Sequence, residues 1–185
     1  MKFTLSWLKQ HLDTNADTGT ILKTLTNIGL EVENSYNPAE SLTDFIVAKI
    51  ISTRPHPDAD RLQLCLVDTG TEEIEIVCGA RNAIENLTTI YAPIGSTIPE
   101  SGLKLKKVKI RGVESLGMLC SKKELGLGND SEGITELPNE MKAGTPIAQA
   151  LDINDTHIEI AITPNRPDCL GVYGIARDLA AAGLG

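Results

Sequence analysis

The pattern of apolar and polar positions in the middle of the chain predicts short β-strands separated by turns. Leucine occupies every second position from residue 62 to residue 66, and this period of two is typical of a half-buried strand. Prolines and aspartates precede that run, and both residue types favour turns. Many short strands with turns rich in glycine and proline indicate a small barrel or sandwich. The predicted strands are residues 45–53, 61–68, 73–78, 88–98 with a bend at Pro93, 104–111 and 133–137.

The two ends of the chain carry a different pattern, which predicts helices and two further strands. Apolar residues fall at helical spacing in residues 3–12 and 20–28, and Asp17 or Thr18 is a suitable N-cap for the second helix. Gly29 follows that helix, at a position where a positive φ is often needed. The alternating segments 30–36 and 156–162 predict strands, and residues 168–182 predict a last helix.

Neither end of the chain is long enough to bury a core by itself. We therefore expect the two ends to form one discontinuous α/β domain, with strand 30–36 beside strand 156–162. The predicted fold class is α+β, with a small β-barrel inserted into that domain. The predicted segments are residues 1–39, 40–151 and 152–185.

The charge of the chain limits how it could bind nucleic acid. A formal net charge of −8 argues against a generally basic nucleic-acid binder, so RNA binding would require a local positive patch. Residues 104–111 offer one, because strand geometry would place Lys107, Lys109 and Arg111 on one face, roughly 6.5 to 7 Å apart. Such a row can follow a phosphate backbone. A lysine-rich strand face can equally be a solubilising or edge-protecting surface.

The sequence shows no catalytic, metal-binding or membrane-spanning signal. The four cysteines lie far apart without a CxxC pair, and we expect small, reduced core residues rather than zinc ligands. Asp58 and Asp60 are expected to stabilise a turn rather than to bind a metal. The three histidines are scattered, and no glycine-rich phosphate loop is present. No apolar run is long enough to cross a bilayer, so we expect a cytosolic (cytoplasmic) protein.

Three segments in the middle of the chain resemble the tRNA-binding OB-fold module that several tRNA-associated proteins share. They are residues 56–70 (HPDADRLQLCLVDTG), 77–82 (VCGARN) and 110–121 (IRGVESLGMLCS). Residues 1–33 resemble the start of the bacterial phenylalanyl-tRNA synthetase beta subunit family, and so do residues 163–178, which include PNRPDCLG. Motifs of this length rarely occur by chance. The resemblance covers nearly the whole chain and implies the N-terminal part of a longer subunit.

The resemblance implies a five-stranded OB barrel that binds tRNA and assists the ATP-dependent attachment of phenylalanine to tRNA(Phe). It implies that the chemistry lies in the alpha subunit of a two-alpha, two-beta assembly, which uses ATP and Mg²⁺. This segment would then be non-catalytic and bind no cofactor, and neither DNA nor a membrane is an expected partner. Phe45 and Tyr91 are the only aromatic residues between residues 45 and 151 and are expected in the core. We therefore expect recognition of phosphates and shape rather than base stacking.

The candidate RNA contacts combine the positive patch with polar residues of the family-like segments. The alternative is a protein-docking module with little tRNA contact, which the acidic balance and the scarcity of aromatic residues favour. Arg166 and Arg177 are expected to have a structural role, with Arg166 paired to Asp168. The candidate RNA-binding residues are Arg54, His56, Arg61, Arg81, Asn82, Lys104, Lys107, Lys109, Arg111, Ser115 and Ser121.

Overall fold

The structure, a computed structural model, describes all residues from Met1 to Gly185 and divides into two units. The terminal unit consists of Met1–Pro38 and Asn154–Gly185, and the central unit consists of Ala39–Ile153. These bounds lie within two residues of the boundaries expected from the sequence. None of the helices has the length and apolar character that crossing a bilayer requires.

Strands outnumber helices in this chain, and most elements of both kinds are short. The last α-helix is preceded by a 3₁₀ turn at Pro167–Leu170. The elements are β1 Lys2–Thr4, α1 Leu5–Lys9, α2 Thr18–Asn27, β2 Val32–Tyr36, β3 Ile46–His56, β4 Ala59–Asp68, β5 Glu73–Cys78, β6 Thr88–Ala92, β7 Val108–Ile110, β8 Val113–Ser115, β9 Met118–Leu119, α3 Ile147–Ala150, β10 His157–Ile160 and α4 Val172–Leu179.

The terminal unit is built on an antiparallel three-stranded sheet in which β10 lies between β1 and β2. The predicted pairing of the two chain ends is confirmed, since His157 lies opposite Tyr36 and Glu159 opposite Asn34. All of its strand pairs are antiparallel, so the unit is α+β rather than the expected α/β domain. Its core draws side chains from both ends of the chain, including the fully buried Ile21 and Ile175.

Local capping and pairing decide where the helices of the terminal unit begin and end. Asp17 caps α2 by accepting a hydrogen bond from the Thr20 N–H at 2.9 Å, as predicted. Gly29 follows with a φ of 87°. The helix predicted over residues 3–12 is wrong at both ends, because Lys2–Thr4 pair with β10 and the helix ends at Lys9.

The helix predicted over residues 168–182 is interrupted at Gly171, which has an extended backbone with φ −129° and ψ 150°. A 3₁₀ turn lies before this glycine and α4 after it. The close packing of the two pieces depends on Gly174. A Cβ atom at that position would lie 1.9 Å from the Asp168 carbonyl oxygen.

The central unit is built on a five-stranded antiparallel sheet with strand order β5-β4-β3-β6-β9. Strand β3 is 11 residues long and pairs with β4 on one side and β6 on the other. A register shift between Ile50 and Ser52 marks a β-bulge, a feature that bends a strand and increases its twist. The adjacent residues Val47 and Ala48 belong to different apolar clusters, so both faces of the sheet are covered.

The sheet has five strands, the number that the family resemblance implies, but its fifth strand β9 was not predicted and the expected barrel is not closed by strand pairing. The edge strands β5 and β9 are not paired with each other. The Leu116 N–H donates to the Glu75 carbonyl at 3.2 Å, and the Val77 N–H donates to the Ser115 hydroxyl at 3.1 Å. These two bonds, rather than a ladder, connect the β8–β9 segment to β5. Gly117 interrupts regular pairing there with a φ of 114°.

Several predicted strands of the central unit are shorter in the structure than the sequence indicated. Residues 95–98 and 133–137 contribute only isolated bridges, Thr97 to Lys104 and Thr88 to Leu137. Of the predicted strand 104–111, only Val108–Ile110 is a strand, and it forms a hairpin with β8. The other residues of the predicted strand lie in turns and loops beside this hairpin, although their alternating pattern predicts a strand.

Replacement of Gly174 by alanine should destabilise the terminal unit. The added Cβ would meet a backbone oxygen that cannot move without shifting the 3₁₀ turn, so we expect a loss of at least about 2 kcal/mol in the free energy of unfolding. The fluorescence of Trp7, the single tryptophan, reports urea unfolding of this unit.

The matched control is Gly171→Ala, because a Cβ at that position meets no atom within 4 Å and the backbone conformation suits alanine. It should cost much less than Gly174→Ala. Equal midpoints for Gly174→Ala and the unchanged protein would contradict the packing described here.

Candidate nucleic-acid interface

Three arginines from three different segments line one groove of the central unit. Arg54 comes from β3, Arg61 from β4 and Arg81 from the loop after β5. We call this the arginine groove. Its volume is about 800 Å³, and its lining consists of Thr53, Arg54, Pro55, Asp60, Arg61, Leu62, Gln63, Gly79, Ala80 and Arg81.

The loop that carries Arg81 is held against β4 by one half-buried amide. The Gln63 side chain donates hydrogen bonds to the carbonyl oxygens of Ala80 at 3.1 Å and Ala83 at 2.7 Å. Gln63 is adjacent in sequence to Leu62 and lies opposite Cys78 in the sheet. This amide therefore fixes Arg81 beside the strand that carries Arg61.

Acidic neighbours neutralise only part of the positive charge in the arginine groove. Arg54 forms a salt bridge with Glu75 at 2.5 Å, with about two thirds of the arginine side chain exposed. Arg61 and Arg81 are exposed and form no salt bridge. Asp60 is the one carboxylate among the lining residues. Two guanidinium groups therefore remain available to an anionic ligand.

The predicted row of Lys107, Lys109 and Arg111 on one strand face is wrong. Strand β7 holds only Val108–Ile110, and Arg111 leaves it with a φ of 48° in the turn before Gly112. The Lys107 ammonium group lies 2.9 Å from Glu114 on the paired strand. Lys104 lies apart from the hairpin, at an isolated bridge to Thr97. Lys109 and Arg111 remain exposed without a salt bridge.

His56 connects the turn between β3 and β4 to the β7–β8 hairpin. Its ring is buried, with 5% of its surface exposed. The Asp58 N–H donates to Nδ1 at 3.1 Å, so Nδ1 carries no proton and the Nε2–H donates to the Ile110 carbonyl at 3.1 Å. His56 thus positions the hairpin rather than presenting its ring to a ligand.

Three other candidate residues direct their side chains into the fold. The buried Ser115 hydroxyl accepts from the Val77 N–H and donates to the Gly117 carbonyl at 3.1 Å. The buried Ser121 hydroxyl forms a capping box with Glu124. The Asn82 amide bonds to both backbone groups of Ile134 and to Glu136. These polar groups stabilise the loops, and nothing in their geometry supports a direct RNA contact.

A second and larger groove lies beside the hairpin and shares Arg81 with the arginine groove. We call it the hairpin groove, and its volume is about 1000 Å³. Its lining mixes three cations, three carboxylates and an apolar floor. These residues include Arg81, Lys106, Lys123, Glu100, Glu124, Glu132, Val108, Ile110 and Met118. The sequence motifs had not singled out Lys106, Lys123 or Gln63, because groove formation depends on how loops from distant segments meet.

A compact ion-pair cluster lies in the terminal unit, as the sequence suggested for Arg166. Arg166 and Arg177 both donate hydrogen bonds to Asp168 and Asp178. These donors hold the pKa values of both carboxyl groups well below the ordinary value of 3.8. The two guanidinium groups balance the charge of the two carboxylates. The cluster therefore stabilises the fold, and no net negative charge remains there to bind a cation.

Comparisons with known proteins identify the family to which the central unit is similar. A family described as a putative tRNA binding domain matches residues 45–146. Because this match covers more than half of the chain, the chain belongs to this family of tRNA-binding domains. The resemblance inferred from the sequence motifs is thereby confirmed.

The whole chain is also similar to phenylalanine–tRNA ligase beta subunits. The identity is 55% to the subunit of Rhodospirillum rubrum, 51% to that of Rickettsia bellii and 50% to that of Zymomonas mobilis. The chain spans only 23%, 21% and 24% of these relatives, or about a quarter of their length.

Among solved structures, the MetRS-related protein from Pyrococcus horikoshii is similar, with 25% identity and a TM-score of 0.40. It aligns with 55% of this chain and 85% of its own. This TM-score is too low to support an inference from that structure.

Replacement of His56 by alanine should loosen the β7–β8 hairpin. The Asp58 N–H and the Ile110 carbonyl would lose their buried partner, which typically costs about 1–3 kcal/mol. Hydrogen exchange measured by mass spectrometry should accelerate in peptides covering residues 106–116. Asp58→Ala is the control, because it removes an exposed carboxylate but keeps the backbone N–H that His56 accepts. Unchanged exchange in His56→Ala would show that the ring does not hold the hairpin.

The ion-pair cluster should make the terminal unit sensitive to acid. Because the folded-state pKa values of Asp168 and Asp178 are lowered, their stabilisation is fully present above about pH 4 and is lost as the pH falls through the folded-state values. Asp178→Asn should therefore flatten the dependence of unfolding free energy on pH between about pH 4 and pH 2. Urea unfolding followed by Trp7 fluorescence measures this slope. Asp13→Asn, at an exposed carboxylate of the same unit, should leave the slope closer to that of the unchanged protein.

Proposed function

We propose that the central unit is the tRNA-binding module of a phenylalanine–tRNA ligase beta subunit, and that the arginine groove is its main phosphate contact. The observation that carries the proposal is the convergence of Arg54, Arg61 and Arg81 on one groove within the region that matches the tRNA-binding family. Identity of about half over the whole chain to many such beta subunits supports the choice of enzyme. An OB-type fold for the five-stranded sheet is part of this proposal.

Guanidinium groups suit the recognition of phosphates. An arginine presents its N–H donors in a planar fork that matches two phosphate oxygens, and it stays charged at any physiological pH. Arg61 and Arg81 are exposed and unpaired, so they can bind a phosphate without first breaking a salt bridge. Arg54 would have to exchange Glu75 for the ligand. Lys109 and Arg111 on the hairpin would extend the contact along the same backbone.

Base stacking does not fit this surface. Phe45 is 1% and Tyr91 is 7% exposed, and the Tyr91 hydroxyl donates to the Leu116 carbonyl at 2.8 Å. Both aromatic residues are thus in the core, as the sequence indicated. The exposed large hydrophobic residues of the central unit are aliphatic. The proposed contact is therefore made with phosphates and the shape of a folded RNA, without aromatic platforms.

The role in the complete enzyme follows as part of the proposal. The module would help to hold tRNA(Phe) while phenylalanine is attached to it in an ATP- and Mg²⁺-dependent reaction. The alpha subunit would carry that chemistry in a two-alpha, two-beta assembly in the cytoplasm. This segment itself would contribute to tRNA binding and would carry no catalytic group.

A protein-docking module is the second candidate, and two observations favour it. Arg54 and Lys107 are each neutralised by an acidic neighbour, and the chain as a whole carries a net charge of −8. In this alternative, the grooves would receive another part of the synthetase and tRNA would contact the unit little. The two candidates differ in the salt dependence of RNA binding.

Charge reversal in the arginine groove should weaken tRNA binding. For the double variant Arg61→Glu and Arg81→Glu, we expect affinity at least about tenfold lower near 0.1 M salt, because two phosphate contacts become repulsive. The slope of log K against log salt concentration should fall by about 1 to 2 units. Fluorescence anisotropy with labelled tRNA over a salt series measures both quantities.

Lys142→Glu provides a control with the same kind of charge change. Gly144 bonds to Val47 at the start of β3, so Lys142 lies near the strand end opposite Arg54. The separation along β3 is roughly 20 Å or more. This variant should retain most of the affinity and the full salt slope. If both variants bind tRNA equally well, or if binding does not respond to salt, the docking alternative is favoured and the proposal fails.

A further inference from the structure

Two cysteines lie close together on one face of the central sheet. Cys65 in β4 pairs with Ile76, and Cys78 in β5 pairs with Gln63. The two cysteines are therefore diagonal neighbours on the same face, a relation in which Cα atoms lie about 7–8 Å apart. Both belong to the same apolar cluster. Cys120 lies in a different cluster of that unit, and Cys169 in the terminal unit.

The sulfur of Cys78 accepts one hydrogen bond, which the Ala80 N–H donates at 3.4 Å. The interaction with the neighbouring Cys65 thiol and this N–H donor favour the thiolate and lower the pKa of Cys78 below its ordinary value of 9.0. The same interaction, together with burial, raises the pKa of Cys65. Burial likewise raises the pKa of Cys120 and of Cys169.

Access also distinguishes Cys78 from the other cysteines. It lines the hairpin groove and is 7% exposed, whereas Cys65, Cys120 and Cys169 are completely buried. A small, uncharged oxidant can therefore reach one thiol of this protein through an open groove. The Cys65 thiol lies on the same face of the neighbouring strand, one diagonal step away.

We propose that Cys78 is a modification site for hydroperoxides, with Cys65 as the resolving thiol that converts the oxidised form to a reversible disulfide. In the first step, the Cys78 thiolate attacks one oxygen of hydrogen peroxide. The O–O bond breaks, and the leaving hydroxide takes up a proton to become water, which leaves a sulfenic acid. In the second step, the Cys65 sulfur attacks the Cys78 sulfur, the S–O bond breaks, and a second water leaves with the Cys65 proton. Two thiols lose two electrons in total, and one peroxide is reduced to two waters.

The disulfide should alter the arginine groove, and this part of the inference rests on the proposed function. Diagonal neighbours in an antiparallel pair have Cα atoms about 7–8 Å apart, which is longer than a relaxed disulfide spans. Bridging therefore requires the end of β5 to move toward β4. Residues 79–81 follow Cys78 directly and carry Arg81, so oxidation should change the presentation of that guanidinium group.

The modification is tested by mass spectrometry of the whole chain after treatment with hydrogen peroxide at a small molar excess. We expect the loss of two hydrogen atoms, a Cys65–Cys78 peptide after digestion, and full reversal by dithiothreitol. Cys65→Ser should accumulate a sulfenic acid at Cys78 that dimedone traps. Cys78→Ser should react at least about tenfold more slowly, because no other thiol combines access with thiolate character. Cys120→Ser is the matched control and should behave like the unchanged protein.

Several results would overturn the proposal. One is comparable oxidation of Cys120 or Cys169, and another is stable sulfinic acid at Cys78 without a disulfide. The third is an unreactive Cys78 in a folded protein. Folding of each variant is checked by its circular dichroism spectrum.

The effect on RNA has a separate readout, the tRNA affinity of the oxidised and the reduced chain. A fall in affinity that dithiothreitol reverses supports coupling to the arginine groove. If the disulfide forms and tRNA affinity is unchanged, the coupling is wrong. If the reduced chain does not bind tRNA in a salt-dependent way, the proposed function fails, whereas the mass-spectrometric result for the thiol pair stands by itself.

Discussion

The pairing of β3 with strands on both of its sides is the interaction on which the central unit depends. Eleven residues form one strand, and this length lets a single element join the apolar core at Val47 to the polar groove at Arg54. The bulge after Ile50 turns the outer half of the strand relative to the inner half. Residues that lie in the core at one end are thereby followed, a few positions later, by residues that line the arginine groove. The β4 strand follows the same course, and Gln63 then attaches the loop of Arg81 to it.

The sequence predicted the elements with strong periodicity better than it predicted the connections between them. Strand β5 was predicted with its observed bounds, and the pairing of the two chain ends was also correct. These features depend on the burial of alternating apolar side chains, which a pattern of residues records directly. The strand predicted over residues 104–111 is too long at both ends, because Lys104 forms only an isolated bridge to Thr97 and the chain turns back at Arg111 and Gly112 with positive φ. Alternation of side chains carries no information about where such turns begin.

The sequence predicted which residues could contact RNA better than it predicted how those residues are arranged in space. Arg54, Arg61 and Arg81 were all among the residues singled out, yet only the fold shows that they share a groove. The partners of the cations could not be inferred at all. Glu75 lies on β5, two strands away from Arg54 on β3, and Glu114 lies on β8, opposite the strand that follows Lys107. Both ion pairs depend on strand order and register, which a single sequence does not specify. For the same reason, the sequence does not show that the side chains of Ser115 and His56 are buried and bond to backbone groups.

The division of the terminal unit between the two chain ends has a consequence for synthesis on the ribosome. Strand β1 pairs with β10, in which Glu159 lies opposite Lys2. The sheet therefore cannot form until β10 has been synthesised. The central unit has all of its own strands within Ala39–Ile153 and can therefore acquire structure while the C-terminal segment is still being translated. Its folding would bring the two flanking segments nearer to each other and reduce the entropy cost of closing so long a loop. Until then the buried face of α2, which includes Ile21 and Leu25, lacks the C-terminal half of the core against which it packs.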